Sequence, residues 1–496
     1  MTPATMRVRF APSPTGTLHI GSARSALYNW LAARNAGAEG TYVLRIEDTD
    51  LERSTPENVE QALAVFRWLG LDWDEGPGVD GPYAPYFQSQ RGEHYRAALA
   101  ELVAAKRVYP CFCTREQLDA DRSAQQAQQQ PIVYAGRCRD LSEEEQQSRM
   151  ASGAAYVMRF RADLAATTTF TDLILGELSF ENALIGDTVI ARQDGSPLYN
   201  FANVVDDAEM RITCVIRGND HVSNTPKQIM LYEALGVDVP AFAHVPMILG
   251  PDGAKLSKRR HHTADVEQLA AAGYLPAAVR NGLALLGWNR DEQTTVMTTE
   301  ELIKAFDITR VRKSPAAVDY DKLRHINAVH LRDLSAAAWA DAYAAWRSEW
   351  IAEDDERYAA AWAAEPMTIA TLIQEKVDVL SDVPALMEFL VEPFSMTEQA
   401  WERLGKSAEA PAVLERVDQI LADLSDFSAV SIEHALRELC TQMELKPGKA
   451  FAPIRFAVTG RTVTPGLFEC IEVLGRDRAR DRIAQARTRL ASVLAQ

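Results

Sequence analysis

Two short runs carry cations and small residues in a pattern suited to phosphate chemistry: His19-Ile20-Gly21-Ser22 and Lys255-Leu256-Ser257-Lys258-Arg259. The first follows a strand-like segment and the turn Pro12-Ser13-Pro14-Thr15-Gly16, and it opens a helical pattern. A strand end, a turn and a helix start place backbone N–H groups where an anionic phosphate can be held. Gly16 and Gly21 permit close backbone approach, and His19 adds a side-chain donor. An ordinary βα turn with a capped helix uses the same residues, so the tetrapeptide alone decides nothing. The second run follows a strand and the turn Pro251-Asp252-Gly253. By itself it reads as a solvated basic loop. Several cations on a mobile loop are also what a departing pyrophosphate needs as its charge develops. The two runs together, about 235 residues apart and each at a strand end, are far more specific than either alone.

The pair resembles the HIGH and KMSKS motifs of class I aminoacyl-tRNA synthetases, with Ser22 standing where the first motif ends in histidine. Arg9-Phe10-Ala11-Pro12-Ser13-Pro14-Thr15-Gly16, Arg45-Ile46-Glu47-Asp48-Thr49-Asp50, Tyr199–Asp207 and Val215-Ile216-Arg217-Gly218 resemble the glutamyl/glutaminyl branch of that class. The resemblance covers roughly residues 6–325 and continues more weakly to the end. It implies ATP-dependent attachment of L-glutamate to glutamate tRNA through a glutamyl-adenylate, with ATP and Mg²⁺ entering as a complex. It also implies activation of glutamate that depends on tRNA. The catalytic residues it implies are His19, Gly21, Lys255 and Lys258. ATP contacts would come from His19, Gly21, Asp220, Lys255, Ser257 and Lys258, although Asn219-Asp220-His221 matches only loosely. Glutamate contacts would come from Arg9, Ser13, Glu47, Tyr199, Asn203 and Arg217.

The chemistry of those residue types suits the substrate. Two guanidiniums, Arg9 and Arg217, can grip the side-chain carboxylate through paired hydrogen bonds. Glu47 offers an anion to the α-ammonium. Tyr199 and Asn203, four apart on a helical turn, can complete the pocket with polar contacts. Taken singly, each is as well explained by a structural ion pair or a hydrogen-bonded core position. No protein nucleophile is needed, because the substrate carboxylate itself attacks the α-phosphorus; catalysis is positioning and electrostatic stabilisation.

Cys111-Phe112-Cys113 and Cys138 supply three thiols at metal-ligand spacing, and Asp140 or Tyr134 could supply the fourth ligand of a tetrahedral, structural Zn²⁺. Three reduced cysteines packed as small apolar groups is the alternative. The spacing matches a zinc-binding subdivision of the family in which a histidine usually stands at the Asp140 position, and a short tRNA-modifying relative uses the tyrosine.

The elements that must position these groups follow from periodicity. Residues 6–11 and 41–46 read as strands, and 56–69 as an amphipathic helix. A helix from about Ser22 carries an apolar stripe of Ala23, Ala26, Leu27, Trp30, Leu31 and Ala33. Strand signals resume at Met210–Ile216 and Val245–Leu249, with a helix from about Thr225. This alternation predicts an α/β, Rossmann-type parallel-sheet catalytic domain, first half 1–104 and second half 189–254. Residues 105–188 break the rhythm and read as an inserted α+β acceptor-stem-binding subdomain carrying the cysteines. Residues 255–330 hold the basic loop and a stem-contact region. From about 330 the chain is rich in Ala, Leu and Glu with almost no strand signal, predicting all-α anticodon-binding domains over 331–425 and 426–496.

Composition sets the outer bounds. A chain of 496 residues exceeds one ordinary core, and its 47% hydrophobic and 24% charged content match a globular protein. No apolar leader or membrane-length run stands out, and six cysteines make no disulfide scaffold, so a cytoplasmic, membrane-free protein is expected; a monomer is expected as well. The net charge of −17 argues, by itself, against binding a polyanion. The charge is uneven, however: residues 331–440 hold 22 acids and 8 bases, and 441–496 hold 10 bases and 5 acids. Pro453–Gly460 and Thr464–Glu469 resemble the anticodon-binding end of bacterial glutamyl-tRNA synthetases, with Lys446, Lys449, Arg455 and Arg461 as candidate RNA contacts. An enzyme that also charges glutamine tRNA, an inactive tRNA-binding paralogue, and a small-cofactor nucleotidyltransferase are the competing readings.

Overall fold

The computed structural model describes residues 5–14, 18–49, 54–256, 265–351 and 356–494. In chain order the strands up to residue 245 are β1 (Met6–Phe10), β2 (Gly40–Leu44), β3 (Val108–Cys111), β4 (Val157–Phe160), β5 (Thr167–Asp172), β6 (Gly176–Glu181), β7 (Val189–Arg192), β8 (Cys214–Gly218) and β9 (Ala241–Val245). The helices of the same stretch are α1 (Ile20–Asn35), α2 (Pro56–Trp68), α3 (Gly92–Ala104), α4 (Arg115–Ala127), α5 (Glu143–Ala151), α6 (Asn182–Ile185), α7 (Tyr199–Glu209) and α8 (Thr225–Leu235).

Six strands form one sheet in the order β2-β1-β8-β9-β5-β6. The pairs β1–β2, β1–β8, β8–β9 and β9–β5 are parallel, and only β5–β6 is an antiparallel hairpin. In register, Met6 faces Gly40, Phe10 faces Leu44, and Cys214 to Gly218 face Ala241 to Val245. A second sheet of β3, β4 and β7 is antiparallel. The insertion therefore divides. Its strands β3 and β4 join β7 in a separate sheet that packs on the main core through Val108, Phe160 and Ile190, while the hairpin β5–β6 returns to extend the main sheet beside β9, joined by Asp172 opposite Phe242.

Helix α1 was expected to bury one stripe. Instead Ile20 and every residue from Ala23 to Ala33 are buried, because the helix packs on β1, β2 and β8 on one side and on the helices Pro276–Ala284 and Thr299–Ala305 on the other. Part of its polar content is bonded inside: Asn29 Nδ2 donates to the Ile216 carbonyl at 3.0 Å and Arg24 Nη1 to the Leu286 carbonyl at 2.9 Å. The expected strand over Met210–Ile216 begins only at Cys214. Met210 caps α7, and Arg211 turns the chain with φ 54° before the strand can start. Helix α8 opens on Thr225-Pro226, with proline where an N–H would be spare anyway, and stops at Gly236, whose φ of 68° suits a left-handed cap.

The chain divides into two compact units, one of residues 1–269 and 276–320, the other of 270–275 and 321–496. Among its described residues the second unit is helical from residue 321, within the helix Tyr320–Arg332, to the helix Arg476–Leu494. Its core holds an aromatic group of Trp339, Tyr343 and Trp362, with the last two rings edge-on at 4.6 Å. No helix among the described residues is long and apolar enough to cross a membrane.

Candidate active site

A cavity of about 710 Å³ opens where β1, β2, β8 and β9 end. Sheet order turns β1 toward β2 on one side and β8 on the other, so the loops leaving their carboxyl ends separate and leave a crevice. Arg9, Ser13, His19, Gly21, Ser22, Glu47, Tyr199, Asn203, Arg217, Asp220 and Lys255 all line it. Residues scattered over some 250 positions of sequence thus share one space. Ser257, Lys258 and Arg259 lie outside the described residues.

His19 is the N-cap of α1, and its Nδ1 accepts the Gly21 N–H at 3.0 Å. In the neutral ring that leaves the proton on Nε2. A Cβ on Gly21 would meet His19 Nδ1 at 3.3 Å, so glycine keeps the helix entrance open and the imidazole seated. Across the mouth Lys255 is exposed and bridges to Leu249 in the backbone. Asp220 is exposed at the rim, near His221. A helix N-terminus and an exposed lysine lining one cavity are both groups that favour an anion.

The inner end of the cavity is a buried charge network. The adjacent acids Asp206 and Asp207, on α7, each face two arginines. Arg9 Nε lies 3.1 Å from Asp207, Arg45 Nη1 lies 2.6 Å from Asp207, Arg45 Nε lies 3.5 Å from Asp206, and Arg91 Nε lies 2.6 Å from Asp206. Glu47 is held at the pocket by its backbone N–H on the Pro12 carbonyl (2.9 Å) and by Asn203 Nδ2 on its carboxylate (2.8 Å). Burial pushes the Glu47 carboxyl up; Arg45, 3.9 Å away, and the Asn203 amide oppose it. Asn203 is therefore oriented from both sides, its oxygen taking Arg45 Nη2 at 3.1 Å. Tyr199, at the first turn of α7, places its hydroxyl 3.1 Å from His221 Nδ1.

Arg217 differs from its neighbours. It is buried, yet among the described residues it makes no ion pair; it donates only to neutral acceptors, Thr225 Oγ1 (2.8 Å), Gln228 Oε1 (2.8 Å) and His244 Nε2 (3.2 Å). Among the described residues its Nη1 is buried without a hydrogen-bond partner. Burial pulls the guanidinium down from its ordinary range. A desolvated cation without an ion pair among the described residues, in a cavity lined by a second arginine and a carboxylate, has the chemistry to receive an anion.

Residues 5–325 match the family described as tRNA synthetases class I (E and Q), catalytic domain, and residues 335–487 match the anticodon binding domain. A glutamate–tRNA ligase of Symbiobacterium thermophilum is 41% identical over 97% of this chain and 99% of its own length. The chain belongs to the glutamate–tRNA ligase family of class I tRNA synthetases. A second relative, glutamate–tRNA ligase 2 of Rubrobacter xylanophilus, is 44% identical over 98% of each chain. Among solved structures, a glutamate tRNA ligase from Elizabethkingia meningosepticum, crystallised in complex with its amino acid, superposes with a TM-score of 0.85 at 32% identity, over 98% of this chain and 100% of that one. The glutamate-tRNA synthetase of Elizabethkingia anophelis gives 0.82 at 32% identity, with the same coverage.

As a member of this family the chain carries an insertion whose cysteines come together. The Sγ atoms of Cys111, Cys113 and Cys138 lie within 4.8 Å of one another, with Cys113 and Cys138 at 3.7 Å. Bonds of about 2.3 Å to a tetrahedral Zn²⁺ would set such sulfurs about 3.8 Å apart, so the three fit that ion with little movement. Tyr134 closes the group: its hydroxyl is 3.4 Å from Cys111 Sγ and 3.5 Å from Cys113 Sγ, and accepts the Cys138 N–H at 2.8 Å. The Arg159 guanidinium stacks on the Tyr134 ring at 3.8 Å. Asp140 is not brought in; it is exposed, 3.9 Å from Arg161. Cys214, Cys440 and Cys470 are buried and free.

Several site residues were not singled out from sequence. Arg45 and Asp207 sat inside quoted motifs without a role, and His221, beside Tyr199, was noted only as part of a loose match. His244 and Asp172 carried no signal at all. In the helical unit Lys446 and Lys449 are exposed, with Lys449 3.1 Å from Glu409. Arg461 is largely committed to Glu388 at 2.6 Å and to the Ser395 carbonyl.

Proposed function

We propose that the chain activates L-glutamate with ATP and transfers it to the 3′ end of glutamate tRNA, releasing AMP and pyrophosphate. The observation that carries this reading is Arg217: a buried guanidinium with no carboxylate partner among the described residues, in a cavity also lined by Arg9 and Glu47. The side-chain carboxylate of glutamate supplies the missing anion, and Glu47, with Asn203 and Tyr199, takes the ammonium end. Ser13 lies at the exposed side of the same cavity and would add a hydroxyl contact.

ATP enters with its phosphates toward His19, Gly21 and the first turn of α1, and Asp220 stands on the rim for the nucleoside. Mg²⁺, a general requirement of class I chemistry, neutralises phosphate charge as part of the substrate complex. Lys255, with Ser257 and Lys258 beyond the described residues, draws off the pyrophosphate charge. The protein moves no electrons itself. It fixes the α-carboxylate against the α-phosphorus and presents donors where negative charge grows.

The assignment extends to the rest of the chain. The insertion takes the acceptor stem and the helical unit the anticodon, with exposed Lys446 and Lys449 available to phosphates. We place this activity in a cytoplasmic monomer. The test is ATP–pyrophosphate exchange and charging with purified glutamate and glutamine tRNAs. Exchange should require tRNA and accept glutamate; exchange with glutamine alone would overturn the specificity, and charging of both tRNAs would make the enzyme non-discriminating.

For the cysteine group we infer one structural Zn²⁺ held by Cys111, Cys113, Cys138 and Tyr134. It would tie the end of β3 to the 134–138 loop. Elemental analysis should find about one equivalent, lost in Cys111→Ser, which should also melt lower. Tyr134→Phe should weaken retention against a chelator by about tenfold or more, while Asp140→Ala should leave it unchanged. The reverse order would make Asp140 the fourth ligand, and a metal-free wild-type protein would remove the site.

A further inference from the structure

Behind Arg217 runs a chain of buried groups that ends in the inserted segment. Arg217 Nε donates to His244 Nε2 at 3.2 Å, and the Thr225 hydroxyl approaches the same nitrogen at 3.0 Å. On the far side of the ring, His244 Nδ1 donates to Asp172 Oδ2 at 2.7 Å. A guanidinium can only donate, so Nε2 must be the accepting nitrogen and Nδ1 must carry the proton. Asp172 enforces that arrangement. It is an acceptor already fixed by three backbone N–H groups, those of His244 (3.0 Å), Ile174 (2.9 Å) and Leu175 (2.8 Å). Both His244 and Asp172 are wholly buried, and the Phe170 and Phe242 rings flank the imidazole at 6.5 and 6.1 Å.

We propose that Asp172 and His244 are positioning residues for glutamate: they hold a neutral imidazole in the Nδ1–H form so that its Nε2 fixes the orientation of the Arg217 guanidinium, which lines the cavity. This rests on the reading of Arg217 as a glutamate contact. The physical need is clear. A guanidinium surrounded by neutral acceptors has no ion pair to orient it, and a fork loses its paired hydrogen bonds when rotated. Burial lowers the basicity of His244, which keeps the ring neutral beside a cation. Asp172 lies at the end of β5, the strand by which the insertion rejoins the main sheet, so the insertion contributes to the glutamate pocket without touching glutamate.

The test uses the full chain with tRNA, measuring KM for glutamate and for ATP by pyrophosphate exchange. His244→Phe should raise the glutamate KM about tenfold and leave the ATP KM within about twofold. His244→Gln, whose amide oxygen can accept from Arg217 Nε, should recover most of that loss. Nitrogen-15 spectra of the wild-type histidines should show His244 protonated on Nδ1, a readout independent of how the variants fold. The relay is overturned if Arg217→Ala raises the glutamate KM while His244→Phe does not, if both KM values rise together, or if the proton resides on Nε2. An unchanged glutamate KM in Arg217→Ala would instead refute the underlying assignment of Arg217, and the relay with it.

Discussion

Replacing Arg217 by alanine should lower kcat/KM for glutamate by about 10²- to 10³-fold, almost wholly through KM, with the ATP KM within about twofold of wild type. The magnitude follows from where the charge sits. Arg217 is buried at 7% exposure and donates only to Thr225, Gln228 and His244, none of them anionic. On the proposed reading the ligand supplies the partner charge, and truncating one side of a buried, hydrogen-bonded ion pair costs about 3–4 kcal/mol. Arg9 does not compensate, because Asp207 and Asn203 already hold it at 3.1 and 3.4 Å. Arg217→Lys keeps a charge but loses the fork, and should fall between alanine and wild type. Initial rates of tRNA-dependent pyrophosphate exchange against glutamate concentration measure all three.

Glu47→Gln should raise the glutamate KM by about 10²-fold and flatten its dependence on pH. The glutamine can keep the hydrogen bond from Asn203, so the loss isolates the charge facing the substrate ammonium. The sign of the pH effect comes from burial. Glu47 has a raised pKa in the free protein, with Arg45, Arg9 and Asn203 pulling it down and Asp206 pushing it up. The arriving ammonium favours the ionised form and lowers the pKa of the complex. Between those two values binding must expel a proton, so affinity weakens by about tenfold per unit as pH falls. Above the raised value it is flat. A wild-type profile with no acid limb would mean that Glu47 does not face the ammonium.

Much of this site was readable before any fold was known, for a definite reason. A phosphate-binding turn needs a glycine beside a helix start, and a leaving group needs clustered cations; both demands act on adjacent residues and leave a linear pattern. His19-Ile20-Gly21 and the lysines from 255 show that pattern. Glu47, Asn203 and Arg217 were legible only through the runs around them, since a lone buried carboxylate or arginine has no local signal. Strand positions were readable within a few residues where side chains alternate, as in Met6–Phe10. They failed at Met210–Ile216, where apolar residues serve a helix cap and a turn before the strand starts.

The amino-acid sequence by itself determined the chemistry of the parts: a nucleotide-binding turn, a basic loop, three thiols at ligand spacing, and an acidic helical segment followed by a basic one. Only the tertiary structure decided which charges remain unspent. Asp207 is consumed by Arg9 and Arg45 together, leaving Arg217 to face neutral groups. Tyr134, rather than exposed Asp140, is brought against the thiols. Asp172 reaches His244 because the β5–β6 hairpin returns to the main sheet 72 residues from its partner. Ion pairing and orientation depend on distance in space, and between such distant positions only the packed sheet sets it.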